Sequence, residues 1–153
     1  MLTDDSKKEI KNLFNITKKL KASGIIRSTK VFSDVSEYLC KEHLKLKLSE
    51  SQRQEGFDAV DGRRKKYQIK FNNSKEKTNQ DIGNPGKYDY LLLVITNESK
   101  LFDTNRTGFI CIYRIEASEL IGKKYIAKTY IAELKPILEL DKNLDLIPNM
   151  RRD

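Results

Sequence analysis

Histidine and cysteine are scarce in this sequence: His43 is the only histidine, and Cys40 and Cys111 are the only cysteines among 153 residues. A structural zinc site draws its four ligands mainly from these residue types, so no such site is expected. A Ser-His-Asp or Cys-His nucleophile would depend wholly on His43, which lies on the apolar side of its predicted helix and is interpreted as a packing residue. The two cysteines sit in separate apolar patterns and are predicted to be small core residues.

Long apolar runs are also missing. None approaches the roughly 18 residues of a membrane-spanning helix, and no apolar signal-peptide core follows Met1. We therefore expect a soluble, cytoplasmic protein with no membrane partner. Thirty Lys and Arg against 22 Asp and Glu give a net charge of +8. This charge favours a polyanion as the binding partner, because contacts with phosphate groups release counterions. Nucleic acid is the first candidate.

The length predicts one domain over residues 1–153 with one hydrophobic core. Residues 1–24 predict an N-terminal amphipathic helix, whose lysine-rich face either contacts nucleic acid or is simply solvated. A second helix is predicted from a cap at Ser33 to about Leu46, with Glu37 at the border of its apolar stripe. Residues 134–153 carry no clear pattern and are predicted to be an irregular tail.

Two predicted strands, Phe57–Val60 and Lys66–Phe71, are joined by an Asp-Gly turn and predict a β-hairpin. Side chains alternate along a strand, so Gln68 and Lys70 share one face. The centre of the hairpin places Asp58 opposite Gln68. The three polar side chains are therefore predicted to converge at this hairpin.

Two further strands are predicted at Tyr88–Ile95, where the apolar run suggests burial on both faces, and at Phe109–Ile115. Between the hairpin and these strands, residues 72–87 are predicted to form an exposed, mobile loop that could cover nucleic acid. This loop carries Lys75 and Lys77. A mixed central β-sheet flanked by helices, an α/β fold, accounts for this order of elements.

This order resembles the PD-(D/E)XK nuclease superfamily, and in particular its restriction-endonuclease-like branch in which Gln replaces the Glu of the (D/E)XK element. The resemblance rests on residues 36–39 (Ser-Glu-Tyr-Leu), 56–59 (Gly-Phe-Asp-Ala) and 67–70 (Tyr-Gln-Ile-Lys). It implies a restriction-endonuclease-like core in a 33–72 segment of helix and hairpin. The sequence departs from the family name because Phe57 precedes Asp58 where Pro would stand, and because Gln68 is uncharged, which weakens metal binding.

The resemblance implies a catalytic set of Glu37, Asp58, Gln68 and Lys70. Asp58 and Gln68 would bind Mg²⁺ or Mn²⁺ through oxygen atoms, and Glu37 would act on the metal through water or as a general base. Lys70 would orient the attacking water or stabilise phosphate charge. The implied activity is a metal-dependent DNA endonuclease, for which both restriction-type and structure-directed cleavage stay open. A homodimer is expected because one active site cuts one strand.

Basic side chains near the hairpin are candidates for binding nucleic acid, although a solvated turn explains the tip of the hairpin nearly as well. They are Arg63, Arg64, Lys65 and Lys66, with Lys75 and Lys77 further along the chain. Two other functions stay open. The chain could be a nuclease-like fold, weakly active or inactive, that binds nucleic acid or protein, or a defence or anti-defence protein that acts by protein contact.

Overall fold

The structure is a computed structural model that describes residues 2–25, 30–50 and 56–148. Its helices are α1 (Asp4–Ala22), α2 (Val31–Leu44) and α3 (Lys128–Ala132), with short 3-10 helices at Pro85–Lys87 and Ala117–Glu119. Its strands are β1 (Lys47–Leu48), β2 (Ala59–Val60), β3 (Lys66–Asn72), β4 (Asn79–Asp81), β5 (Tyr90–Thr96), β6 (Ile110–Glu116), β7 (Tyr125–Ala127) and β8 (Leu138–Leu140). In these described ranges, no helix is long and apolar enough to cross a membrane.

Six strands form one mixed sheet in the order β1-β2-β3-β5-β6-β8, while β4 and β7 form a separate antiparallel pair. The first three strands are an antiparallel meander, and β3 then runs parallel to β5. The outer pairs β5-β6 and β6-β8 are antiparallel. The predicted α/β class with a mixed central sheet is therefore confirmed.

The register of the β2-β3 hairpin agrees with the sequence prediction. Ala59 lies opposite Tyr67 and Val60 opposite Lys66. Asp58 immediately precedes β2, and its backbone amide donates a 2.8 Å hydrogen bond to the Tyr67 carbonyl. The turn therefore sets the pairing of β2 with β3, and Asp58 meets Gln68 through its side chain.

The core lies on both faces of the sheet. β5 is buried throughout Leu91–Thr96, as its continuous apolar sequence predicts. Alternate side chains of β5 enter two hydrophobic clusters. One cluster includes α2 and the apolar side of α1, while the other includes β7 and α3. Cys40 and Cys111 are both buried free thiols, which confirms their predicted core role.

Both long helices form where the sequence predicts them, but the ends of α2 differ. Thr3 caps α1 by accepting a 3.1 Å hydrogen bond from the Ser6 backbone amide. Ser33 is not a cap, because α2 begins at Val31 and Ser33 lies in its first turn. The helix ends at Leu44 rather than Leu46, since Lys45 has a left-handed backbone conformation with φ 56°, which stops the helical hydrogen-bond pattern.

Two segments predicted to lack regular structure carry strands. Residues 72–87 were predicted to form an exposed loop, but they include β4, and both Asn72 and Gln80 are buried. The Asn72 Nδ2 donates a 3.0 Å hydrogen bond to Gln80 Oε1, so each amide satisfies the other inside the protein. The tail from residue 134 provides β8, which pairs with β6 at the sheet edge.

Candidate functional site

The predicted site forms where Asp58 enters β2 and faces β3. Its carboxylate oxygen Oδ2 accepts a 2.6 Å hydrogen bond from Gln68 Nε2 and a 2.7 Å bond from the backbone amide of Ile69. Lys70 lies on the same face of β3 as Gln68, two residues further along the strand. The structure therefore brings Asp58 and Gln68 into direct contact with each other. Lys70 lies next to Gln68 on the same face of β3.

The pKa of Asp58 reflects this half-buried position. Burial raises the pKa above its ordinary value, whereas the Ile69 amide and the positive charge of Lys70 act in the opposite direction. Burial is the largest of these effects and the positive charge of Lys70 is the smallest. Desolvation therefore decides the direction in which the pKa of Asp58 moves.

The Gln68 amide is turned with its nitrogen towards Asp58. Its oxygen lies on the side of Gly83, where an added Cβ would stand 3.9 Å from both Gln68 Oε1 and Lys70 Cε. A cation held between Asp58 and Gln68 needs oxygen atoms from both groups, so the amide would have to turn by about 180° about its last torsion. In the present arrangement, Gln68 offers its amide nitrogen to Asp58 and not its oxygen.

Glu37 approaches the same carboxylate from α2. The pKa of Glu37 is raised to about 7. Burial is the largest cause, and the negative charges of Asp58 and Asp34 add to it. Burial also raises the pKa of Cys40, one turn further along α2, to about 12, with smaller effects from Glu37 and Asp58. Cys40 is therefore a protonated core thiol and is not a nucleophile beside the site.

A pH-dependent stability is expected from Glu37. Its pKa rises from 4.5 to about 7 on folding, so the folded state holds this proton more tightly than the unfolded chain does. The stabilisation is complete below the unfolded pKa and is lost as the pH rises through about 7. We expect Glu37→Gln to reduce the fall in unfolding free energy between low and high pH by about 1 kcal/mol. This value allows for solvent screening, because Glu37 is half-exposed.

Urea unfolding of wild type and Glu37→Gln, at about pH 5 and about pH 8, measures this effect. The exposed α1 residue Glu9 supplies the control variant Glu9→Gln, which should keep the wild-type pH dependence. An equal pH dependence in wild type and Glu37→Gln would contradict the raised pKa.

The site provides two carboxylates and one amide as potential metal ligands. Among residues 2–25, 30–50 and 56–148, no group of three or more His, Cys, Asp or Glu side chains could together hold a metal ion. Glu37, Asp58 and Gln68 carry oxygen atoms of the type that Mg²⁺ and Mn²⁺ prefer, with fewer negative charges than a site of three carboxylates.

The basic tip of the hairpin, defined as Arg63–Lys66, is exposed. Asp61 organises it, because its Oδ1 accepts backbone hydrogen bonds of 2.8 Å from Arg63 and 3.0 Å from Lys65. Lys75 and Lys77 lie beyond the opposite end of β3. This strand has seven residues and is therefore about 20 Å long. The six predicted basic residues therefore form two groups, one at each end of β3.

Sequence analysis missed the contribution of Gly83 to the site. Gly83 has a positive φ of 67°, and its backbone borders Gln68 and Lys70. It follows β4, which pairs with β7 outside the main sheet. The Gly-Asn-Pro sequence at residues 83–85 signals a turn, but it does not indicate that this turn lies beside Gln68 and Lys70.

His43 takes no part in the site. It is half-buried on α2, its Nε2 has no hydrogen-bond partner among the described residues, and burial lowers its pKa. This agrees with its interpretation as a packing residue.

Comparison with known proteins found no matching protein-family model and no matching curated protein.

Proposed function

We propose that this chain is a metal-dependent endonuclease of the PD-(D/E)XK type that hydrolyses DNA phosphodiester bonds in the cytoplasm. The contact of Asp58 with Gln68 across the hairpin, with Lys70 on the same face, carries the proposal. The order of elements supports it as well. A helix bearing Glu37 precedes an antiparallel meander, and the third strand of that meander is parallel to β5.

The four side chains have separate roles in this proposal. Asp58 and Gln68 would hold Mg²⁺ or Mn²⁺ through oxygen atoms once the Gln68 amide has turned. A bound ion would supply Lewis-acid polarisation and neutralise phosphate charge. Lys70 would orient the attacking water or stabilise charge on the phosphate. Glu37 would accept the proton of that water or act through water on the metal.

Cutting both strands of a duplex requires two such sites, because each chain carries one. We therefore propose a homodimer for activity of restriction type. Sedimentation of the protein on a short duplex, together with the ratio of linear to nicked plasmid, tests this step. A monomeric complex that only nicks DNA would overturn the dimer while leaving the nuclease proposal intact.

The test of the function is cleavage of supercoiled and linear DNA with Mg²⁺, with Mn²⁺ and with a chelator. The proposal expects cutting with either metal and none with the chelator. The same assay with RNA of matched sequence shows whether the chain cuts DNA or RNA. If neither DNA nor RNA is cut with either metal, the catalytic proposal fails.

A binding module is the second candidate, and one observation favours it. The Asp58 carboxylate accepts two hydrogen bonds from the protein itself, one from Gln68 and one from the Ile69 backbone amide, as a purely structural contact would. A binding module would retain nucleic acid equally well in the chelator. The cleavage assay and a binding assay in chelator therefore separate the two functions.

Both candidates use the basic tip Arg63–Lys66 as a phosphate contact. We expect Arg63→Gln combined with Lys65→Gln to weaken DNA binding similarly for all sequences and to reduce the slope of log affinity against log salt by about 2. The turn should survive, because Asp61 binds the backbone amides of these residues and not their side chains. Fluorescence anisotropy at several salt concentrations measures both quantities.

Lys142 provides the control for this prediction. It is exposed and follows β8, at the far edge of the sheet from the hairpin. Lys142→Gln removes one charge but should leave the salt slope close to wild type. An unchanged slope in the Arg63→Gln, Lys65→Gln variant would show that the tip does not contact phosphate.

A further inference from the structure

A cleft lies at the end of the sheet opposite the basic tip. It has a volume of about 650 Å³ and is bounded by α1, the segment that follows β3 and the segment that follows β5. β3 and β5 are the two parallel neighbours, and they end at Asn72 and Thr96. In α/β sheets, ligands bind preferentially in the crevice outside the carboxyl ends of such strands.

The floor of the cleft is aromatic. Phe14 stacks on Phe32 with ring centroids 4.2 Å apart and meets Phe109 edge-on at 5.1 Å. Phe32 is only 1% exposed, whereas Phe14 and Phe109 are half-buried. The last two rings therefore present an apolar surface of the kind on which a nucleobase packs.

The rim of the cleft is charged. Lys18 from α1 and Lys75 from the segment after β3 each lie 3.1 Å from a different carboxylate oxygen of Glu98. Both lysine side chains are mostly exposed. Two cations from distant parts of the chain thus converge on one anionic group, an arrangement that also fits the oxygen atoms of a phosphate.

The wall between rim and floor is held in place by hydrogen bonds. The Ser74 hydroxyl accepts bonds from the backbone amides of Glu76 and Lys77, and the Ser74 carbonyl accepts a 2.8 Å bond from the Lys100 amide. Asn73 is hydrogen-bonded to Thr96. The segment that carries Lys75 is therefore braced against the end of β5 before any ligand arrives.

From these features, we infer that the cleft is a nucleotide-binding site. A base packs on Phe14 and Phe109, and the phosphate takes the place of the Glu98 carboxylate between Lys18 and Lys75. The volume lies within the range of small-molecule sites. The inference goes beyond the proposed function, because this site is formed by residues other than Glu37, Asp58, Gln68 and Lys70. It holds whether or not the chain cuts DNA.

The distinguishing test is Glu98→Gln. Glu98 competes with the phosphate for both lysines, so its neutral variant should bind thymidine 5′-monophosphate about fivefold more tightly than wild type. Lys18→Ala and Lys75→Ala should each weaken binding by about the same factor. Lys19→Ala is the matched control, because Lys19 lies on α1 but does not line the cleft, and it should bind as wild type.

Titration of the full, isotope-labelled chain followed by NMR in the presence of a chelator measures these affinities and checks that each variant is folded. Thymidine 5′-monophosphate should shift backbone amides of residues 73–76 and of the Phe14–Lys21 stretch. Thymidine alone and inorganic phosphate should each bind more weakly. The inference is overturned if Glu98→Gln does not tighten binding, if the shifts fall elsewhere or are absent, or if phosphate alone binds as tightly as the nucleotide.

Discussion

Asp58→Asn is expected to lower the rate of metal-dependent DNA cleavage by a factor on the order of 10³. The substitution removes a negative ligand for the metal but keeps the size of the side chain. It also keeps an oxygen that can accept the bonds which Asp58 Oδ2 receives from Gln68 and Ile69. The hairpin should therefore stay folded while its chemistry is lost. Plasmid cleavage measured against Mg²⁺ concentration gives the rate.

Two further variants make this result specific. Lys70→Met keeps the apolar stem of the side chain and removes its charge, and we expect a loss of about 10² to 10³ in the same assay. Asp5→Asn changes an exposed carboxylate in the first turn of α1, and its cleavage rate should equal that of wild type. Wild-type cleavage rates in both site variants would show that Asp58 and Lys70 are not catalytic.

Local sequence rules were sufficient to predict the candidate site because its geometry depends on a single hairpin. The period of two along β3 aligns Gln68 with Lys70, and the Asp-Gly turn sets the β2-β3 register that brings Asp58, just before β2, beside Gln68. Both properties are encoded within about a dozen neighbouring residues. The Asp58–Gln68 hydrogen bond is a direct consequence of that local pattern.

The features that sequence analysis missed depend on contacts between distant segments. Asn72 and Gln80 are polar, and their burial becomes favourable only because each amide meets the other across the crossover. β8 spans three residues, which is too short for an alternating pattern to stand out, and it is ordered by pairing with β6. Similarly, the raised pKa of Glu37 comes first from burial and then from the charge of Asp58, and both require α2 to pack against the hairpin. No local pattern specifies that packing.

Gln68→Glu is expected to strengthen the proposed binding of Mg²⁺ at Asp58. In the absence of metal, the variant sets a second carboxylate at the position where Gln68 Nε2 now lies 2.6 Å from Asp58 Oδ2. The repulsion should lower stability by about 1–3 kcal/mol, offset in part by Lys70. Mg²⁺ should then reverse this loss, since a ligand at 100 times its dissociation constant stabilises the folded state by about 2.7 kcal/mol.

Thermal unfolding of wild type and Gln68→Glu, with Mg²⁺ and with a chelator, measures this effect independently of catalysis. Gln80→Glu is the matched control, because Gln80 is also a buried amide hydrogen-bonded to a neighbouring side chain but lies away from Asp58 in the β4-β7 pair. It should lose stability that Mg²⁺ does not restore. If Mg²⁺ rescues neither variant, Asp58 and residue 68 do not form a metal site even when both are charged, and the contact between them is better explained as part of a binding scaffold.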